Sequence, residues 1–405
     1  MDKHVDVAVV GAGPIGLVSA RASAEAGART LVVEKRPEGS QPSCCTGLVS
    51  PRTLPTLGAS DDSVLQYIRA LRIHLPSGRQ IHLRSDHVKA ITIDRRHLEQ
   101  ELLVIARHAG ADVRFNTEAI NAQTGVVRVQ SDDADLAIQA AVIIGADGPR
   151  SRVASWFSLP HPAQFAAAAQ VELTDIPEHD DGVDFFLGNE VAPGFFGWSV
   201  PAEDGILRVG LGVLPPHAPM AFLDRLVTHH FPTARIQSRS AGWIPLAPAP
   251  VITAPGLLLV GDAAGHVKPL SGGGLFTGGS CAQIAGEIAA RIAKDHGVRP
   301  SGSESTNPLS LDGASDMYAS YITGCQETLG KEQTFGQSMR SHIARLEDED
   351  IETVALALDD PQLLQFLADE ADIDFFHQLP DRLASEPRLW STLLNLVPLL
   401  GALTK

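Results

Sequence analysis

Val5-Asp-Val-Ala-Val-Val10-Gly11-Ala12-Gly13-Pro14-Ile15-Gly16 is the stretch whose reading decides the fold. The residues before Gly11 form an apolar run of the parallel-strand type, and Leu17–Ala26 continues as a helix closed by Gly27. Thr30-Leu-Val-Val-Glu34 is a second buried strand, completing a βαβ unit of about thirty residues. Gly11 permits the tight turn, Gly13 lets the backbone approach a pyrophosphate, and Gly16 lets the helix pack closely on the strand. Pro14 and Ile15 lie in the same turn, and the helix N-terminus behind them faces the phosphates. Glu34 ends the second strand, eighteen residues beyond Gly16, where a carboxylate accepts hydrogen bonds from ribose hydroxyls. Strand, glycines, helix, strand and terminal carboxylate in register identify a dinucleotide fold far better than the glycines alone.

Two later strands end in turns of the same kind. Ala141-Val-Ile-Ile-Gly145 runs into Ala146-Asp147-Gly148, and Gly256-Leu-Leu-Leu-Val260 into Gly261-Asp262-Ala-Ala-Gly265. An aspartate at a strand end among small residues can hold a sugar-type hydroxyl without steric conflict; for Asp147 a simple turn-forming role is the alternative. His266-Val-Lys268-Pro-Leu-Ser-Gly272-Gly273-Gly274-Leu275 follows Asp262 and leads into a helix from about Gly274 to Lys294. Free N–H groups at that helix start would face an anion. Lys268 stands beside the turn and is expected to be solvated.

Between these parts, Ile68–Leu75 and Gln80–Leu83 read as a hairpin, and Asp94–His108 as an amphipathic helix with Leu98, Leu102, Leu103 and Ile105 inward. Val113–Phe115 and Val126–Gln130 read as strands. From Phe165 to Val213 the pattern becomes alternating strands with aromatic residues: Val171–Leu173, Val183–Leu187, Gly194–Val200 and Ile206–Val213. That composition suits an antiparallel sheet forming one wall of a pocket. Phe196, Trp198 and Val200 share one face of it, as the lining of an apolar tunnel or as plain core. His296–Gly313 reads as an exposed loop, and Met317–Lys405 as helical throughout. The tail Leu389–Leu403 reads as a packed helix or an interfacial contact.

At 405 residues the chain is long enough for two or three interleaved units, and 44% apolar with 20% charged residues is the composition of a globular protein. A net charge of −16 argues against nucleic acid, whose phosphates are bound by Lys and Arg. Cys44, Cys45, Cys281 and Cys325 are too few for a disulfide framework in a chain of this size, so a reducing, cytoplasmic setting is expected. No secretory segment precedes Val5, and no apolar run reaches the length of a membrane span, although a peripheral membrane contact stays open. The fifteen histidines show no HExxH-type spacing, and no metal is expected.

Taken together, the three turns resemble the glutathione-reductase-type FAD superfamily in its hydroxylase-like branch, and within it the geranylgeranyl reductase family. The resemblance rests on Pro42-Ser43-Cys44-Cys45-Thr46-Gly47, Ile93-Asp94-Arg95, Phe196-Gly-Trp198-Ser-Val200-Pro201, Gly210-Leu-Gly212, and above all Gly261-Asp-Ala-Ala-Gly-His-Val-Lys-Pro-Leu-Ser-Gly-Gly-Gly274-Leu275. It covers residues 5 to about 295. It implies an α/β fold: a Rossmann-type parallel-sheet FAD-binding part from residues 1–67, 91–160 and 245–300, an interleaved antiparallel substrate sheet from 68–90 and 161–244, and a C-terminal helical region over 314–405. It also implies flavin contacts from Glu34, Cys45, Thr46, Gly47, Arg95, Asp262, Gly274 and Leu275, and the expected set further includes Lys35, Ala119, Asp147 and Gly273. Two departures bear on the substrate. The family's aromatic x-Trp-x-Phe-Pro box reads Trp198-Ser-Val-Pro201 here, and Leu275-Phe-Thr277 stands where a tyrosine often follows the triple glycine.

The implied activity is FAD-dependent saturation of carbon–carbon double bonds in an isoprenoid or other hydrophobic substrate. An external donor, NADPH or a ferredoxin-like protein, would supply electrons, since no second GxGxxG marks a nicotinamide domain. Cys45 is then either the group that supplies a proton across the bond or a small residue packed on the flavin. Two rivals share the architecture. One is an FAD monooxygenase or halogenase, against which no lysine occurs between Arg36 and His87. The other is a non-catalytic prenyl-binding protein of the Rab-escort type, against which Glu34, Asp262 and the triple glycine are intact.

Overall fold

The computed structural model describes residues 4–40, 44–131, 135–176, 180–203, 205–296 and 311–389. His4–Val10 lies at the centre of the first sheet, parallel to Asp135–Gly145 on one side and Thr30–Val33 on the other. Leu257–Leu259 and Asp112–Arg114 extend the parallel run outward. The central strand is buried on both faces. Val7 and Val9 pack with Leu17, Val18 and Ala282, and Val5, Ala8 and Val10 with Val127, Ile138 and Ile143. Burial on both sides is why its sequence runs apolar without alternation. Each fully buried valine, leucine or isoleucine among them contributes roughly 1.5–3 kcal/mol.

Helix Pro14–Glu25 follows the central strand and packs against Leu275–His296. The approach is close enough that a Cβ on Gly286 would stand 2.5 Å from the Ser19 carbonyl oxygen. Asp94 caps Arg95–His108 by accepting from the N–H groups of Arg96 and His97. Its inward face is Leu98, Leu102, Leu103 and Ala106, with Ile105 half-buried at the margin.

The second sheet has seven strands, in the order Arg235–Pro245, Phe165–Thr174, Leu207–Val213, Gly197–Pro201, Gly182–Phe186, Ala70–His74, Gln80–Arg84. All pairs are antiparallel except Gly182–Phe186 with Ala70–His74. Strand parity divides its residues between two faces. Ala167, Ala169, Val171, Leu207, Val209 and Leu211 pack beneath helix Pro219–His230, and Ala166, Ala168, Trp198 and Val200 face the other way. A three-stranded sheet (Leu48–Val49, Ala90–Ile93, Val64–Ile68) lies in the same chain region.

The expected strand Gly194–Val200 begins only at Gly197. Gly194 has φ +73° and Phe195 N–H closes a turn onto the Ala192 carbonyl, so the chain is still turning there. Sequence reading missed Thr117–Gln123, helix Pro219–His230 and the edge strand Arg235–Pro245, whose first five residues are all exposed and show no alternation. Residues 317–389 are helical as expected, in the segments Leu311–Cys325, Lys331–Ile343, Asp348–Leu358, Pro361–Glu370 and shorter turns, but the first of these begins at Leu311, inside the stretch expected to be a loop. The tail beyond Leu389 and most of the His296–Gly313 loop lie outside the described residues. Among the described residues no helix is long and apolar enough to cross a membrane.

Candidate flavin and substrate site

All three glycine turns emerge at the carboxyl ends of adjacent parallel strands, where open α/β sheets bind their ligands. Gly11 has φ +107°, and a Cβ there would meet the Ala146 carbonyl oxygen at 2.4 Å. A Cβ on Gly16 would stand 1.9 Å from the Gly11 carbonyl oxygen, whereas one on Gly13 would meet nothing within 4 Å. The turn is thus closed by protein at Gly11 and Gly16 and open at Gly13, beside the uncapped start of helix Pro14–Glu25.

Glu34 is buried. Its Oε2 accepts the Ala12 N–H at 3.0 Å, and its Oε1 accepts the Arg36 backbone N–H and Nε, each at 3.0 Å. Burial works to raise the carboxyl, but Arg36 and the backbone donors outweigh it and hold Glu34 below the usual carboxylate range. An ionised carboxylate with lone pairs to spare fits a ribose. Lys35 beside it is exposed, and Ala119 is packed in the core with Val10 and Val33. Of the two roles weighed for Asp147, its contacts match the turn-forming one: it accepts from Ser151 Oγ at 2.6 Å and from the N–H groups of Arg152 and Val153 at 2.7 and 3.1 Å. Asp147 therefore secures the start of helix Arg152–Trp156.

Asp262 makes no side-chain hydrogen bond among the described residues. Burial raises its pKa to about 6, against the opposing pull of Arg95 and His266. In the unfolded chain the carboxyl ionises near pH 4. Between about pH 4 and 6 the folded state therefore binds more protons, and this group's contribution to stability falls as pH rises. Asp262→Asn should raise the melting temperature of flavin-free protein above pH 6 and leave it unchanged below pH 4; equal effects at both would remove burial as the cause.

Arg95 lies between Asp262 and the cysteine loop, with Nη2 on Glu99 Oε1 at 2.7 Å and its Nε buried without a partner. Burial opposes its charge, yet Cys45 and Glu99 hold its pKa above the ordinary arginine value. The Gly47 N–H donates to Cys45 Sγ at 3.4 Å. Cys44 turns aside to take the Ser240 hydroxyl at 3.2 Å, and both thiols are free.

The antiparallel sheet holds this loop in place. Gln170 Nε2 donates to the Cys45 carbonyl at 3.3 Å, and its Oε1 accepts Trp198 Nε1–H at 3.2 Å. Arg208 Nη1 donates to the carbonyls of Thr46 and Ile93 at 2.9 and 3.0 Å. Gly47 has φ +75°, and a Cβ there would stand 2.7 Å from Arg208 Nη1. Sequence reasoning missed Gln170 and Arg208; the available signal was a polar side chain in line with Ala166 and Ala168 on one strand and with Gly210 and Gly212 on the next. Gly210 and Gly212 leave room for the Trp198 and Phe195 rings, each of which a Cβ would meet at 2.6 Å. Phe196 stacks on Phe195 at 4.5 Å and tilts against Phe185 at 4.9 Å. Trp198, Val200, Phe195, Ala166 and Ala168 thus form one apolar cluster.

Gly273, Gly274 and Leu275 lead into helix Leu275–His296, and Thr277 Oγ1 fixes the turn by donating to the His266 carbonyl at 2.6 Å. Lys268 corrects the expectation of solvation: it is buried, with Nζ 2.7 Å from the Ile373 carbonyl and 2.8 Å from Asp374 Oδ1. This pair docks the C-terminal helices on the turn, where Ile373 also joins the apolar cluster. Removing Lys268 leaves the buried Asp374 carboxylate with only Arg52 Nε, 3.8 Å away, so Lys268→Met should lower stability by about 3 kcal/mol. Lys268→Met/Asp374→Leu should recover most of that loss in denaturant melts; no recovery would mean the lysine acts through packing.

A family model described as an FAD binding domain matches residues 4–295. The chain is 31% identical over 363 residues to the digeranylgeranylglycerophospholipid reductase of Methanothrix thermoacetophila, covering 85% of this chain and 89% of that one. The chain belongs to this reductase family. It is an FAD-dependent oxidoreductase, and the open Gly13 turn, ionised Glu34 and unpartnered Arg95 Nε fit the cofactor. A geranylgeranyl bacteriochlorophyll reductase-like protein from Thermoplasma acidophilum superposes with TM-score 0.80 at 23% identity, over 98% of this chain and all of that one. The myxobacterial chondrochloren halogenase gives 0.64 at 16%, over 93% and 96%. At those identities the two structures establish the shared fold for this flavoprotein.

Proposed function

We propose that this flavoprotein saturates isolated carbon–carbon double bonds in the prenyl chains of a lipid or a comparable hydrophobic isoprenoid. The observation that carries the reading is the double attachment of Cys45-Thr46-Gly47. One side meets the charged Arg95 beside Asp262, and the other is tied through Gln170 to Trp198 of the apolar cluster. Glu34, Thr46, Gly47, Arg95, Asp262 and Gly273 to Leu275 would hold FAD, together with the Gly11–Gly16 turn. Once bound and reduced by two electrons, FAD would supply the hydride.

Hydride addition to an alkene needs a proton at the other carbon, and the Cys45 thiol is the donor in this reading. Arg95 and the Gly47 N–H then stabilise the thiolate left behind. Phe196, Trp198 and Val200 exclude water and align the chain. NADPH or a ferredoxin-like protein would restore the electrons, and a lipid substrate would bring the protein to a membrane surface peripherally. The test is anaerobic incubation of chemically reduced holoenzyme with polyprenyl lipids and quinones. Mass spectrometry should show a gain of two hydrogens per bond; products that are only ever oxygenated would replace this reading with the monooxygenase one.

A further inference from the structure

We propose that His266, Cys281 and Cys325 form a buried binding site for a single thiophilic d10 cation, zinc(II) or copper(I). The three come from separate parts of the chain. His266 lies in the turn after Asp262, Cys281 in helix Leu275–His296, and Cys325 at the end of helix Leu311–Cys325. Their ligand atoms all lie within 4.8 Å of one another. Relative exposures are 2% for His266, 0% for Cys281 and 4% for Cys325, so the cluster is shielded from solvent.

Apart from the Gly261 N–H, packing gives the histidine no nitrogen or oxygen partner: its imidazole interacts with the Cys325 thiol. Its Nδ1 accepts the Gly261 N–H at 3.3 Å, and its Nε2 is buried with no hydrogen-bond partner. A buried polar group left unsatisfied carries the full cost of its desolvation. A cation between the imidazole and the two sulfurs removes that cost. The helix also departs from regular geometry here: Gln326–Gly330, directly after Cys325, is a π-helical turn, a distortion that recurs at functional sites. Tyr321, one helical turn before Cys325, is fully buried and donates its hydroxyl to the Leu259 carbonyl, closing the far side.

Two thiolates and an imidazole select a soft or borderline ion over magnesium or calcium. No fourth donor joins the cluster among the described residues. Copper(I) is satisfied by three ligands, and zinc(II) would need a water as the fourth. Binding releases the two thiol protons. It also moves the imidazole proton from Nε2 to Nδ1, so the long Gly261 contact must open. The expectation of no metal came from short ligand spacings, and this cluster has none. The ion would join the turn bearing Asp262 to the helical region beyond residue 311.

The experiment uses holoenzyme from cells grown with added zinc, copper or cobalt and purified under reducing conditions. Elemental analysis should find one ion per chain in the zinc arm or the copper arm, which names the metal. The cobalt-grown protein should show a thiolate-to-cobalt charge-transfer band. Cys325→Ala and Cys281→Ala, checked for fold by circular dichroism, should lose both the band and the bound metal. Metal-free wild type in every arm would overturn the site, as would full metal content in the Cys281→Ala/Cys325→Ala double variant. A Cys281–Cys325 disulfide with no metal in the reduced protein would overturn it too. Metal-free wild type overturns the site even if the variants fail to fold, and that readout is independent of any alkene-reducing activity.

Discussion

Gly16→Ala should give a colourless protein. The new methyl group would stand 1.9 Å from the Gly11 carbonyl oxygen and 3.3 Å from the Ala146 side chain. Backbone oxygen cannot swing away as a flexible side chain can, so the helix start must retreat from the turn it closes. The N–H groups that face a pyrophosphate retreat with it. Gly13→Ala supplies the matched test, since its methyl group meets no protein atom within 4 Å. Gly13→Ala should melt like wild type yet bind FAD at least about tenfold more weakly, a difference of roughly 1.4 kcal/mol. Flavin absorbance after dialysis reads both variants. A Gly13→Ala protein with its full complement of flavin would mean that the pyrophosphate does not lie over this turn.

Cys45→Ala should bind flavin normally and saturate alkenes about 10²–10⁴-fold more slowly, the usual size of a general-acid contribution. The loop should keep its place without the thiol, because Gln170 and Arg208 hold it through the carbonyls of Cys45 and Thr46. Reduction of the flavin by an artificial donor should be unaffected, and the proton-dependent step alone should slow. A mere packing role predicts the reverse: loss of flavin with little specific rate defect. Cys45→Ser, which keeps a weaker proton donor, should fall between the two. Arg208→Ala offers a contrast, since it frees the loop while leaving the thiol intact and should disturb flavin content and rate together.

A second coupling follows from the buried Lys268–Asp374 pair. It makes the helical region a partner of the flavin turn, so damage at Asp374 should register in flavin retention although that residue lies about a hundred positions away in sequence. Nothing local in the sequence around Lys268 signals this. A lysine between valine and proline near a glycine turn reads as solvated, and only the return of residues 372–374 across the turn buries it.

Sequence by itself determined the dinucleotide turn, the ends of the parallel strands, the carboxylate at Glu34 and the aromatic face of the second sheet. Those features obey short-range rules: a glycine where φ or a close approach demands it, an apolar run where both faces are covered, and alternation where one face is. Tertiary structure alone decided what each polar group touches. Asp147 sits in the expected turn, yet three donors from the next helix claim its carboxylate. Gln170 and Arg208 look like ordinary strand residues until parity and sheet order aim them at the cysteine loop. His266, Cys281 and Cys325 share no spacing at all and meet only because two helices pack behind the flavin turn. Hydrogen bonds reach about 3 Å and ignore separation along the chain, so a local pattern can foretell an element but seldom its partners.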